Sequence, residues 1–505
     1  MTRAGLELLG AYGISVACVC AGLRAGGASW RDYAQAPLLG LVALGVALIL
    51  IVVVQSALTA AGVPAVRARY GPVILLPLTA FTAAWWPRAG AAGRVRGAWV
   101  APARWVVRPR ARRGQITIAG QPLPEADETK HLKVIGTTGT GKTTAIREVL
   151  SGALARGDRA VIADPDGGYL DKFYDPSRGD QILNQFDVRG AAWDLRRELQ
   201  DPYDADQLAR SLIGEEVGEN QIWFRFAQTL MSGILQRVYE GHPADAREIH
   251  RLITTAPVEE LRSLLEGKPA GAFLPEANAK MLGSVRTTAT SRLTGLGFSP
   301  PLDERALSIR DWVRGGRGVL FLPYRAGQIA TLKQLISTWM RLAIFEALDG
   351  EEGDLRLWFA VDELDALGAI DGLKDALARL RKFGGRCILG IQSIAQASGL
   401  YGLSDSQTIV ENCGNTLILR CSASEGGGTA RFASQLIGDR EVLREQVTRT
   451  RASGFFDRPP PTHSRSLQHV IEPAVLPAEI EQLPDLTGYL KMASQATWLK
   501  VTLVR

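Results

Sequence analysis

The stretch Val134-Ile135-Gly136-Thr137-Thr138-Gly139-Thr140-Gly141-Lys142-Thr143-Thr144 is a short apolar strand running into G-x-x-x-x-G-K-T and then a helix-like segment. No other part of the chain constrains the fold so tightly. Glycines let the backbone curl until several N–H groups face one anion, and the following helix adds the positive end of its dipole. The pattern predicts a strand over 131–135, a helix over 144–155 and a phosphate-binding loop between them. Residues Gly136, Thr137, Thr138, Gly139, Thr140, Gly141, Lys142, Thr143 and Thr144 would surround the phosphates of ATP. Lys142 would reach the β- and γ-phosphates, and the Thr143 hydroxyl would ligate Mg²⁺.

Hydrolysis needs more than that loop, and the missing groups lie far along the chain. Leu355 to Val361 reads as an apolar strand that ends in Asp362-Glu363, which puts two carboxylates at the carboxyl edge of a parallel sheet. Asp362 suits the Mg²⁺ carboxylate of a phosphate-loop NTPase, and Glu363 suits the general base that polarises the attacking water. An amphipathic helix is expected over 371–383, with Leu373, Ala376, Leu377 and Leu380 on one face and Gly384-Gly385 as its stop. A second buried strand, Arg386 to Ser393, carries Gln392 to the same edge. Gln392 is either a γ-phosphate sensor or a strand-end amide satisfying backbone groups. Arg381 is either a finger acting on a neighbouring subunit's phosphates or a solvated helix arginine. Further strands over 160–163, 318–323 and 416–421 make the whole a parallel α/β core. Asp164 to Gly168 reads mainly as turn chemistry, with magnesium or substrate contact as its alternative.

Thr143 and Asp362 stand 219 positions apart, too far for one crossover. Between about Leu195 and Leu296 the texture is helical, with Ile222, Phe226, Leu230 and Ile234 at helical spacing, so an inserted helical domain is expected.

The net charge of +6 is unevenly spread. Residues 1–113 hold 13 arginines, no lysine and the two acids Glu7 and Asp32, a balance of +11 that leaves −5 for the remainder. Nucleic acid would therefore meet a local stripe or pore, not a globally basic surface. Uncharged runs over 8–23, 33–66 and 70–87 predict two or three membrane-spanning helices, the middle one exceeding the roughly 20 residues a bilayer core requires. Arg88 through Arg113 follow with no acid among them, which predicts a cytoplasmic flank and a nucleotide site on that side. That arginine collar reads as a topology or anionic-lipid signal, or as a DNA-entry ring. The five cysteines have no metal-ligand or disulfide spacing. Arg440, Arg444, Arg449, Arg451, Arg458 and Arg465, threaded past Phe455-Phe456 and Pro459 to Pro461, belong to a solvated loop or line a nucleic-acid path.

Several segments together resemble the type IV secretion coupling proteins of the TraD/TrwB family. They are the phosphate loop, Val161 to Gly167, Ile182 to Arg189 with Trp193, Asp362-Glu363-Leu364, Arg381-Lys382, Gln392-Ser393, and Leu476 to Ile480 with Leu483 to Leu486. The similarity covers nearly everything after residue 113, while the membrane region matches only in type. The resemblance implies a bacterial inner-membrane, multi-pass protein with its ATPase body in the cytoplasm. Residues 1–113 would form the transmembrane region and basic linker, 114–190 with 300–505 a RecA-like nucleotide-binding domain, and 191–299 an inserted all-α domain. It further implies a homohexameric ring that hydrolyses ATP with Mg²⁺, moves single-stranded DNA and couples a relaxase or relaxosome to the components of a secretion and conjugation channel. Lys142, Glu363 and Gln392 would then be catalytic, Arg381 the finger in trans, and Thr143 with Asp362 the metal ligands. Gln185 stands where the family usually has proline. The sequence ends at Arg505 without the long acidic tail of some members, so docking specificity is expected in the helical insertion. Two alternatives are a nucleotide-regulated docking receptor for secreted protein effectors and an FtsK-like DNA pump. The second is at odds with the lack of a long linker and a small carboxyl-terminal DNA-reading domain.

Overall fold

The computed structural model describes residues 94–101, 114–216, 220–353, 355–424, 427–450 and 462–504, together with 16, 17, 19–21 and 41. The uncharged runs expected to cross a membrane lie almost wholly outside the described residues. Among the described residues no helix is long and apolar enough to cross one.

Two compact units divide the chain, one comprising residues 1–97 with 439–472 and the other residues 98–438 with 473–505. In the larger unit the chain runs β1 (Leu132–Ile135), α1 (Lys142–Arg156), β2 (Arg159–Pro165) and α2 (Gly168–Phe173). Four longer helices follow: α3 (Asp204–Ile213), α4 (Gln221–Tyr239), α5 (Ala246–Thr254) and α6 (Ala279–Leu293). The chain then returns through β3 (Val319–Tyr324), α7 (Ile329–Leu348), β4 (Leu357–Val361), α8 (Leu373–Leu380), β5 (Gly385–Ile391) and β6 (Asn415–Ile418). It finishes on β7 (Thr487–Lys491) and β8 (Trp498–Thr502).

One sheet collects these strands in the order β8-β7-β6-β1-β5-β4-β2-β3, with the short strands Val100–Ala101 beside β8 and Gln181–Ile182 beside β3. From β6 to Gln181–Ile182 every pairing is parallel, whereas β7 is antiparallel to both β6 and β8. Central strands such as β1, β3, β4 and β5 are buried at every position, as a parallel sheet covered on both faces requires. Successive side chains go to opposite sides. Val134, Ile162, Phe321, Trp358 and Ile388 pack with Ile146 and Val149 of α1. Val161, Leu322, Phe359 and Leu389 pack with Leu230 of α4, Ile336 of α7 and Leu377 of α8.

The insertion is helical as expected. In α4 the buried Ala227, Leu230, Met231, Ile234, Leu235 and Val238 follow the helical repeat, while Ile222 near its start is exposed. The arginine-rich segment departs from the loop reading. Asp439–Thr450 and Thr462–Pro473 are strands of a three-stranded sheet with Arg94–Gly97, in which Arg440 and Arg444 both pair with Glu472. Residues 451–461 lie outside the described residues. Alternation of apolar and polar residues is weak there, so the sequence pattern did not announce strands.

Candidate nucleotide site

The phosphate loop leaves β1 at the carboxyl edge of the sheet. Gly136 N–H donates to Ile391 O at the end of β5 (3.1 Å), and Thr137 N–H donates to Arg420 O beyond β6 (2.9 Å). Leu486 N–H donates to Thr140 O at 2.9 Å, and Leu503 N–H to Leu486 O at 2.7 Å, so the last two strands brace the loop from outside. Gly141 turns into α1 at φ 115°, and a Cβ there would lie 2.9 Å from Leu486 Cδ2. Only glycine meets both the dihedral and the space.

Three of the sequence-predicted residues, Asp362, Glu363 and Gln392, are brought to Lys142 and Thr143 of this loop. Thr143 Oγ1 donates to Asp362 Oδ2 at 2.7 Å, across 219 positions of sequence. Gln392 Nε2 donates to Thr138 Oγ1 at 2.9 Å and to Glu363 Oε1 at 3.3 Å. Lys142 Nζ donates to Gly136 O at 2.9 Å and to Thr137 O at 3.2 Å, and the side chain is buried. Burial lowers the lysine's pKa, while Asp362, Glu363 and Asp365 pull it back up. The Glu363 carboxyl is pushed above its ordinary value, first by burial and then by the charges of Asp362 and Asp365, with Lys142 opposing. This juxtaposition exists because β5 lies between β1 and β4 in the sheet. Gly390 permits it, since a Cβ there would sit 1.9 Å from Asp362 O.

The donor set suits a divalent cation with polyphosphate. Asp362 Oδ1 and Asp365 Oδ1 are buried oxygens without a hydrogen-bond partner, beside a hydroxyl and an ammonium. Buried carboxylate oxygens of this kind are costly unless a proton or cation meets them. Thr143 and Asp362 would hold Mg²⁺, and the curled backbone from Gly136 to Thr144 would take the phosphates.

Arg381 is not brought to this site. It is exposed in the turn after α8, at the amino end of β5, roughly 20 Å of strand away from the Gln392 end. Asp164 supports the turn reading: its buried carboxylate accepts from Tyr169 N–H (2.9 Å) and Leu170 N–H (2.7 Å) at the start of α2. Burial pushes that carboxyl up to about 6, against the two backbone hydrogen bonds.

Sequence reasoning missed several participants. Tyr169 Oη donates to Asp362 Oδ2 at 2.8 Å. Tyr324, ending β3, has a buried hydroxyl without a partner and is driven above its ordinary pKa by burial and then by Glu363 and Asp362. Asp365 and Leu503 were also unread, and Leu486 entered only through the family resemblance, not as a brace of the loop. An aromatic residue directly after Gly167-Gly168, where the chain turns into a helix beyond the strand that neighbours the acidic one, was the available signal for Tyr169.

The family described as "Type IV secretion-system coupling protein DNA-binding domain" matches residues 115–504. This chain belongs to that family. The coupling protein TraD of Escherichia coli (strain K12) is 31% identical over 403 residues, 77% of this chain and 54% of TraD. Protein VirD4 of Agrobacterium fabrum (strain C58) is 23% identical over 218 residues, 41% of this chain and 31% of VirD4. The chain thus spans about half the length of TraD and less of VirD4. Among solved structures, the bacterial conjugative coupling protein TrwB, lacking its first 70 residues, superposes with a TM-score of 0.71 at 32% identity, over 82% of this chain and 94% of that one. A TrwB structure in complex with ADP and Mg²⁺ gives a TM-score of 0.70 at 32% identity, over 81% of this chain and 94% of that one. The family has the RecA-like α/β NTPase fold with a helical domain, as the resemblance implied.

Proposed function

We propose that this chain is the ATP-hydrolysing coupling protein of a conjugative type IV secretion system, moving single-stranded DNA. The carrying observation is the Thr143–Asp362 hydrogen bond beside the Gln392–Glu363 contact, inside a domain of the coupling-protein family. TrwB, which shares this fold, binds ADP with Mg²⁺ and a non-hydrolysable ATP analogue.

In this reading Lys142 leaves the loop carbonyls for the β- and γ-phosphates. Mg²⁺ on Thr143 and Asp362 neutralises phosphate charge when bound. Glu363 takes the proton of the attacking water; its raised pKa favours that role near neutral pH. Gln392, touching both Thr138 of the loop and Glu363, senses whether the γ-phosphate is present. Arg381, on the far edge of its own sheet, acts on a neighbour's phosphates in a homohexameric ring. Residues 1–113 anchor the protein in the inner membrane by two or three spans, 114–190 with 300–505 form the motor, and 191–299 form the helical domain that meets relaxase and channel components. These relatives do not favour the effector-receptor or FtsK-like readings.

Phosphate release by the purified full-length chain, with and without single-stranded DNA, tests the proposal. Turnover accelerated by DNA and lost in Lys142→Ala supports it; DNA-independent turnover that survives Lys142→Ala contradicts it.

A further inference from the structure

Asp362 is gripped twice on one oxygen and not at all on the other. Thr143 Oγ1 (2.7 Å) and Tyr169 Oη (2.8 Å) both donate to Oδ2, while Oδ1 is buried without a partner. Two donors on one oxygen fix the plane of the carboxylate, so the lone pairs of the other have a set direction.

Tyr169 is held so that its hydroxyl has little freedom. Its side chain is 1% exposed, in the first turn of α2. Asp164 takes the Tyr169 and Leu170 N–H groups, and Asp166, at φ 58°, turns the chain between strand and helix. Arg147 of α1 donates Nη2 to Gly168 O at 2.8 Å, and its guanidinium carbon lies 5.5 Å from the centre of the Tyr169 ring. The helix that follows the phosphate loop thus clamps the segment that carries Tyr169.

We propose that Tyr169 is a positioning residue for the metal carboxylate: its hydroxyl fixes Asp362 so that Oδ1 faces the divalent cation accompanying the nucleotide phosphates. The inference rests on the Mg²⁺–nucleotide reading of the site and adds a residue to it. Partners that orient a metal ligand commonly matter by 10- to 100-fold, roughly, in metal affinity. A tyrosine that merely satisfied its own hydroxyl would affect stability alone.

The test is the Mg²⁺ dependence of binding of a fluorescent non-hydrolysable ATP analogue to the full-length chain, wild type against Tyr169→Phe, with thermal unfolding of both. Tyr169→Phe should raise the half-saturating Mg²⁺ concentration about tenfold or more, with analogue binding in EDTA and the unfolding midpoint close to wild type. An unchanged Mg²⁺ dependence in a folded Tyr169→Phe overturns the assignment, as does a loss of analogue affinity that is equal with and without Mg²⁺. If wild type itself binds the analogue no better with Mg²⁺, the underlying metal reading fails, and that outcome is seen before any variant is compared.

Discussion

His131 and Gly390 show how single residues outside the chemistry hold this site together. His131 is buried at the foot of β1, where Nε2 meets Leu377 O at 3.0 Å and Nδ1 accepts from Cys387 N–H at 3.1 Å, joining the phosphate-loop strand to α8 and β5. Burial, helped by the Arg381 charge and opposed by the Leu377 bond, lowers its pKa from 6.5 to about 4. The unfolded chain therefore takes up this proton more readily than the folded one. The neutral histidine contributes stability that is present above pH 6.5 and lost as the pH falls towards 4, with a ceiling of about 3 kcal/mol. In His131→Gln, which cannot titrate, the urea midpoint should fall less than in wild type between pH 7 and pH 5; parallel curves would contradict the buried neutral histidine. At Gly390 a methyl group would overlap Asp362 O, so Gly390→Ala should cost about 2–3 kcal/mol in urea unfolding and disturb the acid pair. Wild-type stability in that variant would mean that β4 and β5 are not so close.

At the scale of elements, what the sequence revealed was what is local. The loop, α1, and the strands ending at Val361 and Ile391 each carry a contiguous pattern, and they form within a few residues of expectation. The buried face of α8, Leu373, Ala376, Leu377 and Leu380, is the face that periodicity predicts. Non-local partnerships stayed hidden. Tyr169 meets Asp362 across 193 positions, and Leu486 and Leu503 reach the loop from antiparallel strands at the other end of the chain. No spacing rule encodes such contacts. Asp439–Thr450 and Thr462–Pro473 stay hidden for a related reason: their pairing, not their pattern, makes them strands of a sheet. The position of Arg381 yields a prediction at this scale. Because it sits at the amino end of β5, away from its own loop, Arg381→Ala should leave nucleotide binding intact and cut turnover about 10³-fold or more. Mixing Arg381→Ala with Lys142→Ala should restore part of the turnover, since each variant supplies what its neighbour lacks; mixtures with no recovery would place the finger elsewhere.

For the whole molecule, a sheet that brings β1, β5 and β4 side by side converts three separated motifs into one site, and the family assignment over 115–504 says what kind of machine holds it. The body after residue 113 is mildly acidic, while the first 113 residues are rich in arginine, much of it following the apolar runs. Everything functional still turns on whether the site performs chemistry in response to DNA. Phosphate release by full-length wild type and Glu363→Gln, each with and without single-stranded DNA, is the most direct measure. The account predicts DNA-stimulated turnover in wild type and a loss of about 10²-fold or more in Glu363→Gln, with nucleotide binding retained. Turnover in Glu363→Gln equal to wild type, or a wild type that DNA leaves unmoved, would contradict it.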